Sequence, residues 1–436
     1  MPPGPHRPTM TDEGGPTAPA HLGQFDTTPA GGRPTVRAGD LTGDGRMELL
    51  LAQGDDIDAT RTPHLVTSLT AMTLEGDVVW QFGDVDADGG SHGADYPVQV
   101  WDVDGDGANE VACVVDDEFL VLEGATGEVQ ARHELPHPDA HDCIVPANLS
   151  GGDGPREVLL KDRYRRVWAM DENFDVLWTH RGTVGHYPWP ADLDGDGRDE
   201  VVAGYDCLGP DGDVRWSMPI DDAHADCVWV ADVDDDGERE VLVGEGGMYC
   251  YDADGTERWR NREPREVQHL APGNFRPDAP ALEVAGLDRI VRGSRGEPGQ
   301  DGLFLVDSEG TTLAEEDREP GGWVTIAQPV TGWDDDRDLI LAWRRGGGTN
   351  PGLYDGDLER VVRFPVDGHV VFGDLLGRGE PVFAVRERDG TAHLFAREEM
   401  SVEPTGDGPL AQPKRLATTT LYPGGELPAD HPAGRE

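Results

Sequence analysis

The sequence predicts an all-β chain wound into one eight-bladed β-propeller, with seven blades as the alternative. Three observations predict it: an acidic motif that recurs along the chain, the spacing of its copies, and the four short β-rich runs in each unit. Full copies are DLTGDGRMELL from Asp40, DVDGDGANEVA from Asp102, DLDGDGRDEVV from Asp192 and DVDDDGEREVL from Asp232. Weaker copies start at Asn148, Asn274, Asp334 and Asp374. Most gaps between the eight starts are 40 to 46 residues and two are about 60, so two units carry loop insertions. A period of roughly 40–45 residues with four strands each is that of a propeller blade.

The unit around Asp232 justifies its strands in order. Val228–Ala231 is an apolar run that ends in the acidic turn, and Glu240–Val243 is the second run. Met248–Tyr251 is the third, and the turn Ala253-Asp254-Gly255 leads into a fourth at Glu257–Trp259. Short β-forming runs punctuated by Gly and Asp are strands and turns. Trp80, Trp216 and Trp259 each follow a hairpin glycine by four residues and Trp178 sits equivalently, so these tryptophans are expected to pack on outer strands. Residues 1–25 and 423–436, rich in Pro, Gly and acid, are expected to be flexible around a single propeller domain spanning 26–422. The β-like run Arg415–Pro423 is a candidate to pair with an early strand and close the ring, because propellers avoid open edges.

The charge narrows the partners. Asp plus Glu number 86 against 36 Lys plus Arg, for a net charge of −50. Phosphate backbones and anionic lipid surfaces need cationic neutralisation, so neither nucleic acid nor membrane is expected as a partner. Only Lys161 and Lys414 are lysines. An acid-rich, lysine-poor surface has a halophilic cast, since salt shortens the range of like-charge repulsion. No run of about 18 apolar residues exists. The first 30 residues show no charged and apolar leader pattern, and the five cysteines form no CxxC pair. Buried free thiols in a cytoplasmic monomer are the expectation.

The motif D-x-D-x-D-G-x-x-E has a ligand-like layout. Side-chain oxygens come from positions 1, 3 and 5, a glycine allows the bend, position 7 offers its carbonyl and position 9 a carboxylate. This set suits a hard cation with 6–8 oxygens, and calcium above magnesium. The expected ligands are Asp40, Thr42, Asp44, Arg46 and Glu48 in the first full copy, and Asp102, Asp104, Asp106, Ala108 and Glu110 in the second. The third offers Asp192, Asp194, Asp196, Arg198 and Glu200, and the fourth Asp232, Asp234, Asp236, Glu238 and Glu240. Arg46, Ala108, Arg198 and Glu238 would contribute only backbone carbonyls.

These repeats resemble those of FG-GAP/VCBS-type calcium propellers. Within that group the chain is most similar to the polysaccharide lyase family of rhamnogalacturonan lyases with eight-bladed propellers. The resemblance rests on VLLKDRYRRVWAM (Val158–Met170), GHYPWPADLDGDGRDEV (Gly185–Val201), HADCVWVADVDDDGEREV (His224–Val241) and NFRPDAPALEV (Asn274–Val284), within residues 35–400. Two features depart from the family: the extra N-terminal β-domain has no room here, and a Gly-His-Gly-Asp type segment is replaced by Asp222-Ala223-His224-Ala225-Asp226. The resemblance implies cleavage of a uronate-containing polysaccharide or oligosaccharide by β-elimination. A non-catalytic calcium propeller that binds carbohydrate or protein is the alternative, and a two-carboxylate glycosidase is a third reading.

The inner strand of each blade ends in the acidic turn, so its start faces the other side of the ring. A six-residue strand separates the two faces by about 20 Å. Metals in the turns would therefore be structural. The opposite face collects His92, His141, His186, His224, His269 and His369, each five to ten residues before its turn. Elimination from a uronate needs a positive group at the carboxylate, a base for the C5 proton and an acid for the leaving oxygen. The expected catalytic set is His186, Tyr187, His224, Asp226, His141, Lys161 and Arg163. In it His186 or His224 is the base, Tyr187 or Lys161 the acid, and Arg163 the carboxylate partner.

Overall fold

Strands account for nearly all regular structure, and they assemble into eight blades of four antiparallel strands arranged as an eight-bladed propeller; in blade 5 a fifth strand, Gly425–Glu426, pairs in parallel with Trp229 and Val230, within the 423–436 segment expected to be flexible. The computed structural model describes residues 15–54, 65–89, 96–152, 154–221, 224–289, 301–318, 324–403 and 425–426. The innermost strands of blades 1 to 8 are Thr35–Gly39, Val98–Trp101, Cys143–Ala147, Trp189–Ala191, Cys227–Ala231, Val267–Gly273, Val324–Val330 and His369–Gly373. In blades 1 to 7 the next three strands follow outward in chain order.

Residue patterning explains which strand lies where. Inner strands such as Glu157–Lys161 and Glu240–Glu245 are covered on both faces by neighbouring blades, and nearly every position is buried. Doubly covered strands have no use for alternation and read as apolar runs. The outermost strands Val129–Glu134 and Thr312–Asp317 alternate strictly between exposed and half-buried positions, the period-2 pattern of a one-sided strand. Core clusters accordingly lie between blades: one joins Val145, Leu159 and Val167 of blade 3 to Trp189 and Val202 of blade 4 and Val230 of blade 5.

Two repeated contacts hold adjacent blades in register. The indole N–H of Trp80 donates to Gly124 O at 2.6 Å, that of Trp178 to Pro210 O at 2.9 Å, Trp216 to Ala253 O at 2.9 Å and Trp259 to Ser308 O at 2.7 Å. Each acceptor belongs to the outer hairpin of the following blade, so the expectation of outer-strand packing holds and gains a polar tether. The rings rest on glycines of those hairpins: a Cβ on Gly127 or Gly255 would lie 2.6 or 2.5 Å from the indole, and both have positive φ. The second contact links turns. Asp199 N donates to Asn148 O at 2.8 Å, Asp338 N to Asn274 O at 2.8 Å, and Met47 N to Leu375 O at 2.9 Å. A turn of one blade thus anchors that of the next, including blade 1 on blade 8.

Ring closure differs from the sequence expectation. Ala20–Asp26 forms the outer strand of blade 8, paired antiparallel with Thr391–Ala396. The ordered fold therefore begins before residue 26, inside the segment expected to be flexible. The physical reason is the same edge problem that directed attention to Arg415–Pro423, solved with the other end of the chain. Phe25 is buried there among Leu394, Met72 and Leu74. Arg415–Pro423 lies outside the described residues, as do His92 and Asp222–Ala223.

Candidate functional site

The acidic turns lie where the sequence places them, between the first and second strands. In all four full copies the motif glutamate opens the second strand, opposite the last residue of the first: Gly39 faces Glu48, Trp101 faces Glu110, Ala191 faces Glu200 and Ala231 faces Glu240. The loop closes on itself. Asp102 accepts from Gly105 N at 2.6 Å and Gly107 N at 3.0 Å, and Glu110 from Val103 N at 2.9 Å. Oxygens of Asp102, Asp104 and Glu110 gather within 4.8 Å of one another, and so do those of Asp192, Asp194 and Glu200 and of Asp232, Asp234 and Glu240. Burial, with the neighbouring aspartates behind it, pushes Glu110 up to about 7. Such a group gains from a cation.

The four turns are not equivalent. In blade 5, Arg258 of the outer strand lies over the turn, paired with Asp234, with Glu240 at 3.3 Å and with Asp252 at 3.2 Å. In blade 4, Arg215 reaches Asp194 at 2.6 Å and Glu200 at 3.0 Å. Blade 2 has Gln130 at the corresponding outer-strand position, and the guanidinium that reaches its turn, Arg156 of blade 3, donates to the backbone carbonyl of Asp104 at 2.6 Å and not to a carboxylate. In blade 1, Thr42 Oγ1 donates to Glu48 at 3.0 Å and Arg46 turns to Glu75 at 2.5 Å. The blade-2 set is therefore the best fit to a calcium ion, while blades 4 and 5 supply their own counter-charge.

The opposite face assembles a cluster from three connections. Tyr164 stands between the second and third strands of blade 3, His186 between blades 3 and 4, and His224 and Asp226 between blades 4 and 5. Backbone bonds fix the loops: His186 N donates to Ala225 O at 2.9 Å, and Val184 N to Tyr164 O at 3.2 Å. Gly185, at φ +68°, makes that approach feasible, since a Cβ there would lie 2.7 Å from Ala225 O. The rings of Tyr164, His186 and His224 stand 4.7–5.2 Å apart. His186 Nε2 and His224 Nε2 lie 3.2 and 3.4 Å from the same oxygen, Asp226 Oδ1. Tyr164 OH is 3.4 Å from His186 Nε2. Gln268 donates to the other Asp226 oxygen at 3.3 Å.

Electrostatics push this cluster toward neutral forms. Burial drives His186 well below the usual histidine range, and the charges of Arg163, His224, Lys161 and Arg345 add to it. Burial raises the Asp226 carboxyl, and Glu266 adds to the rise. Asp226 Oδ1 has no hydrogen-bond donor although it is buried. A buried carboxylate oxygen flanked by two imidazole nitrogens, all within 4.8 Å, is a donor set that fits a divalent cation.

Beside the cluster lies a charged brace. Lys161 is fully buried, its ammonium paired with Asp142 and donating to Arg163 O at 2.7 Å. Arg163 Nη1 reaches the other Asp142 oxygen at 3.2 Å, and Arg163 Nε donates to Tyr164 OH at 3.2 Å. The chain of contacts thus runs from Lys161 through Asp142, Arg163 and Tyr164 to His186. Three members of the expected catalytic set stand elsewhere or behind. Tyr187 OH is bonded to Gln99 Nε2 at 2.8 Å and donates to Ile144 O at 3.2 Å, bracing the inner strands of blades 2 and 3. His141 Nε2 faces Asp117 at 3.2 Å. Lys161 is too enclosed to meet a substrate. The tyrosine in the cluster is Tyr164, in the KDRYRR connection that the sequence brings to this face without assigning the tyrosine a role.

Comparisons with known proteins bear on this site. A family model described as the lambda-carrageenase β-propeller domain matches residues 207–267, in blades 4 and 5. Rhamnogalacturonan exolyase YesX of Bacillus subtilis is 23% identical over 373 residues, covering 69% of this chain and 58% of YesX. Rhamnogalacturonan endolyase YesW of the same organism is 26% identical over 265 residues, covering 46% of this chain and 42% of YesW. The chain thus spans about half the length of these relatives. The crystal structure of exotype rhamnogalacturonan lyase YesX superimposes with a TM-score of 0.69 at 19% identity, covering 94% of this chain and 80% of that one. The chain is similar to rhamnogalacturonan lyases in sequence and shares their propeller fold.

Proposed function

We propose that the chain is a polysaccharide lyase that cleaves a uronate-containing glycan of the rhamnogalacturonan type by β-elimination on the face opposite the acidic turns. The observation that carries this reading is the meeting of Tyr164, His186, His224 and Asp226 with the braced guanidinium of Arg163. The similarity to rhamnogalacturonan lyases supports it.

The reaction assigns one task to each exposed group. Arg163 faces the substrate carboxylate, and its positive charge stabilises the carbanion that forms as C5 loses its proton. His224 is the more exposed imidazole, at 24% of its side chain against 4% for His186, and takes the C5 proton. The electron pair of the C5–H bond becomes the C4–C5 double bond, and the C4–O4 bond breaks. Tyr164 donates its hydroxyl proton to the leaving O4. Asp226 orients the imidazoles of His186 and His224, while Lys161 and Asp142 hold Arg163.

The same groups, His186, His224 and Asp226, would alternatively hold a divalent cation; it would supply positive charge to the substrate carboxylate, and His224, engaged through Nε2, would then not be the base. We also propose a structural calcium ion in the Asp102 turn.

The test is incubation of the purified chain with rhamnogalacturonan, with and without calcium, while following the ultraviolet absorbance of the unsaturated product. A rise that Tyr164→Phe and His224→Ala abolish supports the reading. No rise on any uronate polymer overturns it in favour of a carbohydrate-binding propeller.

A further inference from the structure

The same face carries a second feature on the far side of the channel mouth. An open cleft runs between blades 7 and 8, lined by Arg344, Arg345, Asp367, His369, Arg386 and Arg388. Four guanidinium groups against the carboxylates of Asp367 and Glu387 make its lining net positive, on a chain whose net charge is −50. Topology explains the gathering. Arg345 ends the second strand of blade 7, Arg386 ends that of blade 8, and His369 opens the first strand of blade 8. All three positions point to the face that holds Tyr164 and His186.

The arginines are not spent on the fold alone. Arg344 is buried and paired with Asp301 at 3.1 Å. Arg386 is only 8% exposed, and its Nε donates to a neutral partner, Thr27 Oγ1, at 2.7 Å. A guanidinium taken out of water with a hydroxyl as its partner is costly unless an anion completes it. Burial does depress the basicity of Arg386, against the distant pull of Asp389 and Asp26. Arg388 is exposed at the rim. Asp367 accepts from Gly348 N through one oxygen, and its buried second oxygen, Oδ1, has no donor. The rings of His369 and Trp343 meet at 4.8 Å between centres, tilted by 37°, at the cleft wall.

We propose that this cleft is an anion subsite for a sugar acid, binding the carboxylate of a uronate unit through Arg386 and Arg388 and a ring hydroxyl through Asp367. The chemistry matches part by part. A planar guanidinium pairs bidentately with a carboxylate. A carboxylate oxygen lacking a donor accepts from a hydroxyl. Burial also keeps the attraction from being screened as a surface pair is. Arg345, at the end of the second strand of blade 7, stands on the same face as His186, and its charge adds to the lowering of that histidine. The proposal rests on the lyase reading for its choice of a sugar acid, and it gives that reading a second point of grip on a polymer, remote from the bond that breaks.

Calorimetry of the full chain with D-galacturonate, and with neutral D-galactose as control, tests it independently of turnover. The Arg163→Gln chain removes binding at the first site and isolates the cleft. Expected is salt-dependent galacturonate binding by this chain, weakened about tenfold or more by a further Arg386→Gln or Arg388→Gln, with no galactose binding. Arg388 is exposed, so its replacement leaves the fold intact and guards against misfolding of the Arg386 variant. On a cleaved polymer, Arg388→Gln is expected to raise KM with little change in kcat. The proposal is overturned if the Arg163→Gln chain binds no galacturonate, or if both cleft variants bind as it does. Arginine-dependent binding without any cleavage would sink the lyase reading and leave the subsite standing.

Discussion

The two faces of this propeller are built on opposite principles. The turn face is periodic: one motif recurs, each copy closes on its own backbone through bonds that span fewer than ten residues, and repeated tethers such as Asp199 N to Asn148 O tie one turn to the next. The other face is aperiodic, and its cluster joins residues 164 to 226 from three separate connections. Local closure gives each turn a set of bonds of its own beside the tethers to its neighbours. A composite site has no such set, because every group depends on loops that other blades hold in place. The composite cluster therefore sits where the repeat is broken, and guanidinium bracing of the motif acids where it is kept.

The largest expected effect separates the faces by turnover. Tyr164→Phe and His224→Ala are each expected to lower kcat on rhamnogalacturonan by about 10²–10⁴-fold, as loss of a general acid or base does. Tyr187→Phe is expected to stay within a few-fold of the parent, since that hydroxyl braces inner strands. Equal losses for Tyr164→Phe and Tyr187→Phe would erase the distinction drawn between the two tyrosines.

Next in size is the response to calcium on the turn face. A ligand present at 100 times its Kd adds about 2.7 kcal/mol to folding stability. Chelation is therefore expected to lower Tm, and Asp102→Asn is expected to remove most of that response. Arg258→Gln strips blade 5 of its internal counter-charge and is expected to make Tm more calcium-dependent than in the parent. A parent and an Asp102→Asn chain with the same calcium response would show that the blade-2 turn holds no ion.

A smaller effect concerns pH. Burial lowers the pKa of His141 below its ordinary 6.5, against the opposing pull of Asp117 and Asp139. The folded chain then holds fewer protons at this site than the unfolded one as pH falls below 6.5. The contribution is present above that pH and is lost going down, by at most about 1.4 kcal/mol per pH unit. Urea midpoints of His141→Gln are expected to fall less steeply than those of the parent between pH 6.5 and 5. The smallest effect is chemical. Burial pushes the Cys113 and Cys207 thiols up to about 12, and all five cysteines are buried. Thiol reagents are expected to label the native chain negligibly and the urea-unfolded chain fully.

By itself, the sequence determined the blade count, the order of the strands, the acidic turns and the face on which the histidines gather. Each follows from interactions within about 45 residues, which a repeat writes openly: Asp232 to Glu240, Gly212 to Trp216, alternation along Thr312–Asp317. It also ranked His186, His224, Asp226 and Arg163 together. Only the tertiary structure decided that Tyr164, not Tyr187, stands at His186, because adjacent residues on an extended chain leave in different directions and KDRYRR carries no sign of which does. It alone made Lys161 a buried brace for Arg163, set Arg258 over one acidic turn and not another, and closed the ring with Ala20–Asp26. Each of these is a contact between elements on different strands or blades. Such contacts depend on where loops and side chains come to rest in three dimensions, and no local pattern encodes that.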